Sequence, residues 1–303
     1  MAEYPYSISG LQLWQWRLEA IADAVQHDVE VAEVDWLLRG ITQLDGLGLR
    51  LGSYKDQAQI NIKLKIEELD ALWQKRLKER LPVQYIASSQ PWRQFELCVS
   101  PSVLIPRPET EYLIDLAIEK AKNNSILQFG NWADLGTGSG AIAIGLADAF
   151  KQATIHAVDV SPEALKIASA NTRNLDFEGR IKFYQGNWWE PLTLFKGKFS
   201  GMVSNPPYIP TSTVLTLQPE VVNHEPHLAL DGGTDGLDCI RQLITSSPEY
   251  LQPGGVWLIE MMAGQADTVF QLLQNHGSYC NIEIHSDFSG IERFAVAYNK
   301  ERV

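Results

Sequence analysis

The order of apolar and polar positions divides the chain into a helical front part and an alternating rear part. Residues 7–80 show helical spacing and lack strand alternation. Ser9 can cap a helix whose apolar positions are Leu11, Leu13, Trp14, Leu18, Ile21, Ala22 and Val25. A second helix is predicted over residues 29–38, with Val31, Val34, Leu37 and Leu38 on one face and Gly40 as its stop. No element is assigned to residues 42–61, which hold glycines at 46, 48 and 52. A third helix, over residues 64–80, carries Leu64, Leu69, Leu72, Trp73 and Leu77 on one face, and Pro82 ends it. The expectation is a small all-α helical bundle over residues 1–81, with Trp14, Trp16, Trp36 and Trp73 in its core. It carries no catalytic pattern, which leaves recognition of a partner as its functional reading.

Residues 82–109 read as a proline-punctuated hairpin and linker. Pro82-Val83-Gln84-Tyr85-Ile86 leads into Phe95-Glu96-Leu97-Cys98-Val99, which alternates like a strand. Pro106 and Pro108 hold the next stretch extended, and Thr110 can start a helix with acidic residues in its first turn. Arg107 and Glu109 are either a solvated helix start or a rigid lip over a neighbouring site.

From residue 110 strands and helices alternate, as in a parallel sheet covered on both faces. Strands are predicted at residues 132–135, 154–158, 181–184, 199–204 and 256–260. Helices are predicted at 141–149, 162–171, 237–251 and 265–275. Residues 282–285 and 293–298 close the pattern as an antiparallel pair. The expected architecture is α/β: a seven-stranded Rossmann-like domain over residues 110–303 behind the helical bundle.

Composition narrows the partners. The 303 residues are 45% hydrophobic and 20% charged, as in an ordinary globular protein. Lys+Arg 25 against Asp+Glu 37 gives net −12. Nucleic-acid binding draws on Lys and Arg to neutralise phosphates, so no direct nucleic-acid partner is expected. Cys98, Cys239 and Cys280 are far apart and form no CxxC pair, which fits free thiols of a reducing compartment and no metal site. No apolar run reaches the ~18 residues of a membrane span, and no basic-then-apolar signal opens the chain. A cytoplasmic monomer is expected.

The sharpest local pattern is Asp134-Leu135-Gly136-Thr137-Gly138-Ser139-Gly140, between a predicted strand and helix. Glycines there let the backbone turn tightly and let a ligand approach main-chain N–H groups at a helix start. A flexible turn is the bland alternative, and the strand–loop–helix context weighs against it. Gly136, Gly138 and Ala141 loosely satisfy a dinucleotide fingerprint, but Asp134 and Gly140 make the pattern D-x-G-x-G-x-G. An acid directly before the loop could hold the amino group of an amino acid. Asp159 closes the second strand about 20 residues on, where a carboxylate takes ribose hydroxyls. A nucleoside carrying an amino acid is S-adenosylmethionine. Gly186-Asn187-Trp188-Trp189-Glu190 follows the third strand, and Trp188 is the choice over Trp189 for the adenine side.

The fourth strand ends in Asn205-Pro206-Pro207-Tyr208-Ile209. Two prolines fix φ and remove two N–H donors, leaving a stiff backbone with free carbonyls, an Asn amide and an aromatic ring. That set suits gripping a flat neutral group bearing –NH2, with Asn205 and a proline carbonyl as acceptors and Tyr208 stacked on its face.

D-x-G-x-G-x-G followed by N-P-P-Y is similar to amino-methyltransferases that modify planar nitrogen in adenine, guanine or glutamine. A wider set adds Pro82-Val83-Gln84-Tyr85-Ile86, Leu104-Ile105-Pro106-Arg107-Pro108-Glu109-Thr110-Glu111 and Glu225-Pro226-His227-Leu228-Ala229-Leu230. Together these resemble the peptide-chain-release-factor glutamine N5-methyltransferase family (PrmC/HemK) over nearly all of the chain from residue 82. The front part fits in type and position alone.

The resemblance implies methyl transfer from S-adenosylmethionine to the side-chain amide of the glutamine in the GGQ motif of class I peptide chain release factors. It implies that the front domain helps to grip the release factor. It implies cofactor contacts at Asp134, Gly136, Thr137, Gly138, Ser139, Gly140, Asp159, Trp188 and Asn205. The implied substrate clamp is Asn205, Pro206, Pro207 and Tyr208 with Arg107, of which Asn205, Pro206 and Tyr208 are catalytic. The rival is a nucleic-acid amino-methyltransferase acting on adenine or guanine; the acidic balance and the lack of a basic arm count against it. Two departures bear on loop geometry. Ala87-Ser88-Ser89 stands where the family has a glycine, and Glu260-Met261-Met262-Ala263-Gly264-Gln265 replaces a shorter E-I-G-x-x-Q pattern.

Overall fold

The apolar runs of the rear part become seven strands of one sheet: β1 (Asn131–Leu135), β2 (Thr154–Asp159), β3 (Ile181–Gln185), β4 (Phe199–Ser204), β5 (Leu251–Glu260), β6 (Tyr279–Ser286) and β7 (Glu292–Asn299). Their spatial order is β6-β7-β5-β4-β1-β2-β3. Pairs β1–β2, β1–β4, β2–β3 and β4–β5 are parallel, and β7 runs antiparallel to both β5 and β6. The runs look continuous in sequence because alternate side chains enter two different apolar layers. Along β5, Val256 and Leu258 join the layer with Trp92, Leu113 and Ile144, while Trp257 and Ile259 join the layer with Leu243 and Val269. Helices Glu111–Ala121 and Ala141–Ala149 cover the first face; Asp238–Ser246 and Ala266–His276 cover the second.

This computed structural model describes residues 4–122 and 124–300. The chain divides into two units, one reaching from the N-terminal residues to Ser89 and including Gln218–His224, the other comprising Gln90–Leu217 and Glu225–Val303. Among the described residues no helix is long and apolar enough to cross a membrane.

The first unit is mainly helical, around Leu13, Trp16, Leu37, Leu69 and Trp73. Ser9 caps Gly10–Gln26 in a reciprocal capping box with Gln12. The face it buries is Leu13, Trp16, Ala20 and Ala24, while Leu11, Leu18 and Val25 are exposed. This helix is apolar on two sides, and the small residues decide which docks: a Cβ at Gly10 would lie 1.9 Å from the Tyr54 carbonyl. Gly40 does not stop its helix, which runs Ala32–Ile41. The missing Cβ serves packing, since one at Gly40 would meet the Ala87 Cβ at 2.9 Å.

Two strands add to the helices: Tyr6–Ile8 pairs with Ile60–Ile62, in stretches too short for alternation to register. Residues without an assigned element hold the helix Gly46–Leu51, capped by Asp45. Val83–Ala87 is a helical turn, and the hairpin behind it pairs Ser89–Trp92 with Phe95–Cys98.

Candidate active site

The strand order reverses between β1 and β4, and ligands of open α/β sheets bind at the carboxyl edge of such a point. Beyond β1, Gly136, Gly138 and Gly140 adopt φ of +79°, +54° and +84°. A side chain in that region costs about 1–2 kcal/mol, so the loop is built from the residue that avoids the cost. The N–H groups of Gly136 and Thr137 both donate to the Val158 carbonyl at 2.9 Å, which ties the loop to β2. Asn171 donates to the carbonyls of Ser139 and Cys98 and accepts from the Cys98 N–H.

Asp134 is fully buried beneath this loop and is absent from the cavity wall. Its Oδ2 accepts from the Thr137 hydroxyl and, at 2.9 Å, from the Ala143 N–H, while Oδ1 has no partner. Burial pushes this carboxyl up to about 7, against those two hydrogen bonds. Asp134 therefore braces the loop and the helix start from below. Asp159 does reach the cavity, at the end of β2. Its Oδ2 accepts from the Gly138 N–H at 2.8 Å and its Oδ1 from the Ser161 N–H at 2.9 Å. Burial raises its pKa, and these N–H groups act in the opposite direction.

The two adjacent tryptophans part company. Trp188 lines the cavity with φ +48°; its ring would lie 3.4 Å from a Cβ at Gly136, and its Nε1 donates to Gln242 Oε1 at 3.1 Å. Trp189 is core: it stacks on Tyr250 with centroids 4.6 Å apart and donates to Ser247 Oγ at 3.0 Å.

β4 delivers Asn205 and Pro207 to the same cavity, with Pro206 buried between them. No described residue donates to the Pro206 carbonyl. Asn205 Nδ2 donates to Thr110 Oγ1 at 3.1 Å. The Tyr208 hydroxyl points away from the cavity wall and donates to Glu260 Oε1 at 2.9 Å. Burial, reinforced by Glu260, pushes this phenol well above its ordinary value, so it stays a neutral donor. Behind Asn205–Tyr208, Gln265 donates to the Tyr208 carbonyl at 3.0 Å, and the Ile209 N–H donates to the Leu230 carbonyl.

Arg107 also lines the cavity, but its guanidinium is engaged. Nη2 donates to both oxygens of Glu225 at 2.8 and 2.7 Å, and Glu225's side chain is 2% exposed. Trp92 Nε1 donates to the Arg107 carbonyl at 3.1 Å, holding the lip from the other side. Glu109 faces solvent.

The cavity measures about 350 Å³ and lies wholly within the second unit. Its lining includes the glycine loop, Asp159 and Trp188 together with Asn205, Pro207, Thr110 and Arg107. Sequence reasoning missed four supports: Thr110, Gln242, Glu225 and Glu260. A polar residue closing an otherwise apolar strand was a usable signal for Glu260, and the Glu225-Pro226 motif was one for Glu225.

The family model for the Methyltransferase small domain matches residues 115–234. A release factor glutamine methyltransferase of Synechocystis sp. is 49% identical over 294 residues, 96% of this chain and 97% of the relative. Proteins of the same name from Thermosynechococcus vestitus and Gloeobacter violaceus are 48% and 44% identical, over 95% and 93% of this chain and 97% and 96% of theirs. Among solved structures, the hMettl16 catalytic domain in complex with MAT2A 3'UTR hairpin 6 shares the fold at a TM-score of 0.56. It is 14% identical, with 88% of this chain and 89% of that chain covered. A methyltransferase from Pyrococcus furiosus gives 0.50 at 14% identity, covering 78% and 98%.

Proposed function

The chain belongs to the release factor glutamine methyltransferase family, and from that premise we propose that its cavity aligns S-adenosylmethionine with a glutamine side chain gripped by Asn205 and Pro206. The protein is an S-adenosylmethionine-dependent enzyme that methylates release-factor glutamine. The proposal concerns which residues do this and where on the release factor: the GGQ glutamine of class I factors.

The residues present suit the cofactor. Three left-handed glycines open the loop, and around Gly138 nothing lies within 4 Å of where a Cβ would stand. Asp159 offers carboxylate lone pairs to ribose hydroxyls and Trp188 offers a ring face to adenine; the N–H groups of Gly136, Thr137, Gly138 and Gly140 are engaged within the protein, which leaves that of Ser139 to suit the amino-acid end. Asp134 contributes by holding the loop in shape. When bound, S-adenosylmethionine supplies an electrophilic methyl on a sulfonium centre.

A glutamine amide nitrogen is a poor nucleophile because its lone pair is delocalised into the carbonyl. Asn205 Oδ1 and the Pro206 carbonyl each accept one of its hydrogens. They stabilise the positive charge that grows on nitrogen and aim its lone pair across the cavity. Such alignment is worth about 7–11 kcal/mol when both reactants sit in near-attack geometry. Pro207 and the Tyr208 segment keep the clamp backbone rigid, and the Arg107–Glu225 pair keeps the lip in place. No histidine lines the cavity, and none is assigned as a base.

One observation carries this reading: Asn205 and Pro207 share a single cavity with the glycine loop, Asp159 and Trp188. The test is incubation with labelled donor and a release factor, or total RNA and DNA, followed by mass spectrometry of the GGQ peptide. Label on the GGQ glutamine is expected. Label in nucleic acid and none in the peptide would transfer the clamp to base methylation.

A further inference from the structure

Glu260 ends β5 and is 2% exposed, far from water for a carboxylate. Such burial is costly unless each oxygen finds a donor. Both do: Oε2 accepts from the Thr110 hydroxyl at 2.7 Å and Oε1 from the Tyr208 hydroxyl at 2.9 Å. Thr110 stands at the start of the helix Glu111–Ala121, where a threonine ordinarily caps the helix, yet its side chain makes no capping bond. Its hydroxyl faces Glu260 and Asn205 instead.

A hydroxyl carries one hydrogen. Thr110 gives that hydrogen to Glu260, so toward Asn205 its oxygen can act only as an acceptor. The Asn205 atom 3.1 Å away must then be the Nδ2 donor. The reversed amide would set two oxygens against each other at that distance. The two ends of an asparagine amide are sterically almost equal, so a hydrogen-bond partner is what chooses between them.

We propose that Glu260 and Thr110 are positioning residues that select the orientation of the Asn205 amide, turning Oδ1 toward the substrate nitrogen. This rests on the reading that Asn205 accepts a hydrogen from the substrate amide. With Nδ2 outward, Asn205 would present N–H to N–H and repel the group it grips. Glu260 also holds Tyr208 by its hydroxyl, so one buried carboxylate orients the first and last residues of the Asn205–Tyr208 clamp.

The test compares Thr110→Val, which keeps shape and loses the hydroxyl, with Thr110→Ser, which keeps the hydroxyl, and with Glu260→Gln, whose single amide oxygen can serve only one of the two hydroxyls. Thr110→Val and Glu260→Gln are expected to lower kcat by roughly tenfold or more. KM for the release factor and the calorimetric Kd for S-adenosylmethionine should stay within about threefold, a split that general loosening would not produce. Thr110→Ser should keep kcat within about threefold of the unaltered enzyme. Wild-type kcat in Thr110→Val overturns the proposal, as does an equal loss in Thr110→Ser. If the unaltered enzyme leaves the release factor unmethylated in the same assay, the underlying reading of Asn205 fails instead.

Discussion

Truncating Asn205 to alanine removes one acceptor from the cavity and leaves the glycine loop, Asp159 and Trp188 as they are. Asn205→Ala is therefore expected to bind S-adenosylmethionine within about threefold of wild type and to lose transfer by about 10²–10³, the scale seen when one preorganised transition-state contact is deleted. Calorimetry and single-turnover methylation check the two halves, and a wild-type single-turnover rate would sink the clamp mechanism. At this scale neighbouring residues of one type can have unrelated fates. Trp188 and Trp189 are adjacent and chemically identical, yet one lines the cavity and the other stacks on Tyr250 in the core. Asp134 was expected at the cofactor's amino group, and the structure puts it under the loop, where it accepts from Thr137 and Ala143. A carboxylate before a glycine loop can serve either purpose, and the sequence pattern is the same for both.

Elements were legible where a period repeats over several turns or several alternations. β4 coincides with the predicted strand at residues 199–204, and the helix Ala141–Ala149 with that predicted at 141–149. Boundaries moved where packing overrode a local signal, as at Gly40, which lets Ala87 come close and does not end its helix. β2 holds a polar residue that strand patterning does not explain: His156, 1% exposed, among Tyr184, Phe195 and Phe199. Its Nε2 donates to Asn131 Oδ1 at 3.2 Å and its Nδ1 accepts from the Tyr184 hydroxyl at 3.0 Å, which suits the neutral ring. Burial, with the Lys182 charge adding to it, lowers its pKa from 6.5 to about 4. Because the folded value lies below the unfolded one, this site's stability is fully present above pH 6.5 and is lost as pH falls toward about 4. Between neutrality and about pH 5 the loss should be about 2 kcal/mol. Urea unfolding at both pH values should show that slope, and His156→Gln should flatten it by about that amount. An unchanged slope in the variant would assign the acid sensitivity to other groups.

For the molecule as a whole, long-range side-chain pairing joins segments that no local pattern connects. In the first unit Arg76, buried at 6% exposure, donates to both oxygens of Glu33 at 2.6 and 2.7 Å and to Glu220 at 2.7 Å. Glu220 sits in Pro219–His224, which follows Arg76 by more than a hundred residues yet belongs to the same unit. Arg76→Met keeps an apolar stem and leaves two carboxylates facing each other. Since both glutamates are partly exposed, the cost to this unit should be about 1–3 kcal/mol rather than the full value for a buried pair. Hydrogen exchange should rise across Pro219–His224; unchanged protection there would show that the ion pair does not hold the segment. By itself the sequence determined the seven-stranded α/β architecture, the tight glycine turn after β1 and the proline-stiffened segment after β4. The reason is that backbone permission and apolar period are properties of consecutive residues. The tertiary structure alone decided which tryptophan faces the cavity, that Arg107 is engaged by Glu225, and that Thr110 and Glu260 stand behind Asn205. Thr110 and Glu260 are 150 positions apart, and they meet because the helix Glu111–Ala121 packs on the face of β5 that carries Val256 and Leu258, which brings the helix start to the end of that strand. A hydrogen-bond partner at that separation has no signature in either stretch of sequence, since its chemistry is completed only when the helix packs on the sheet.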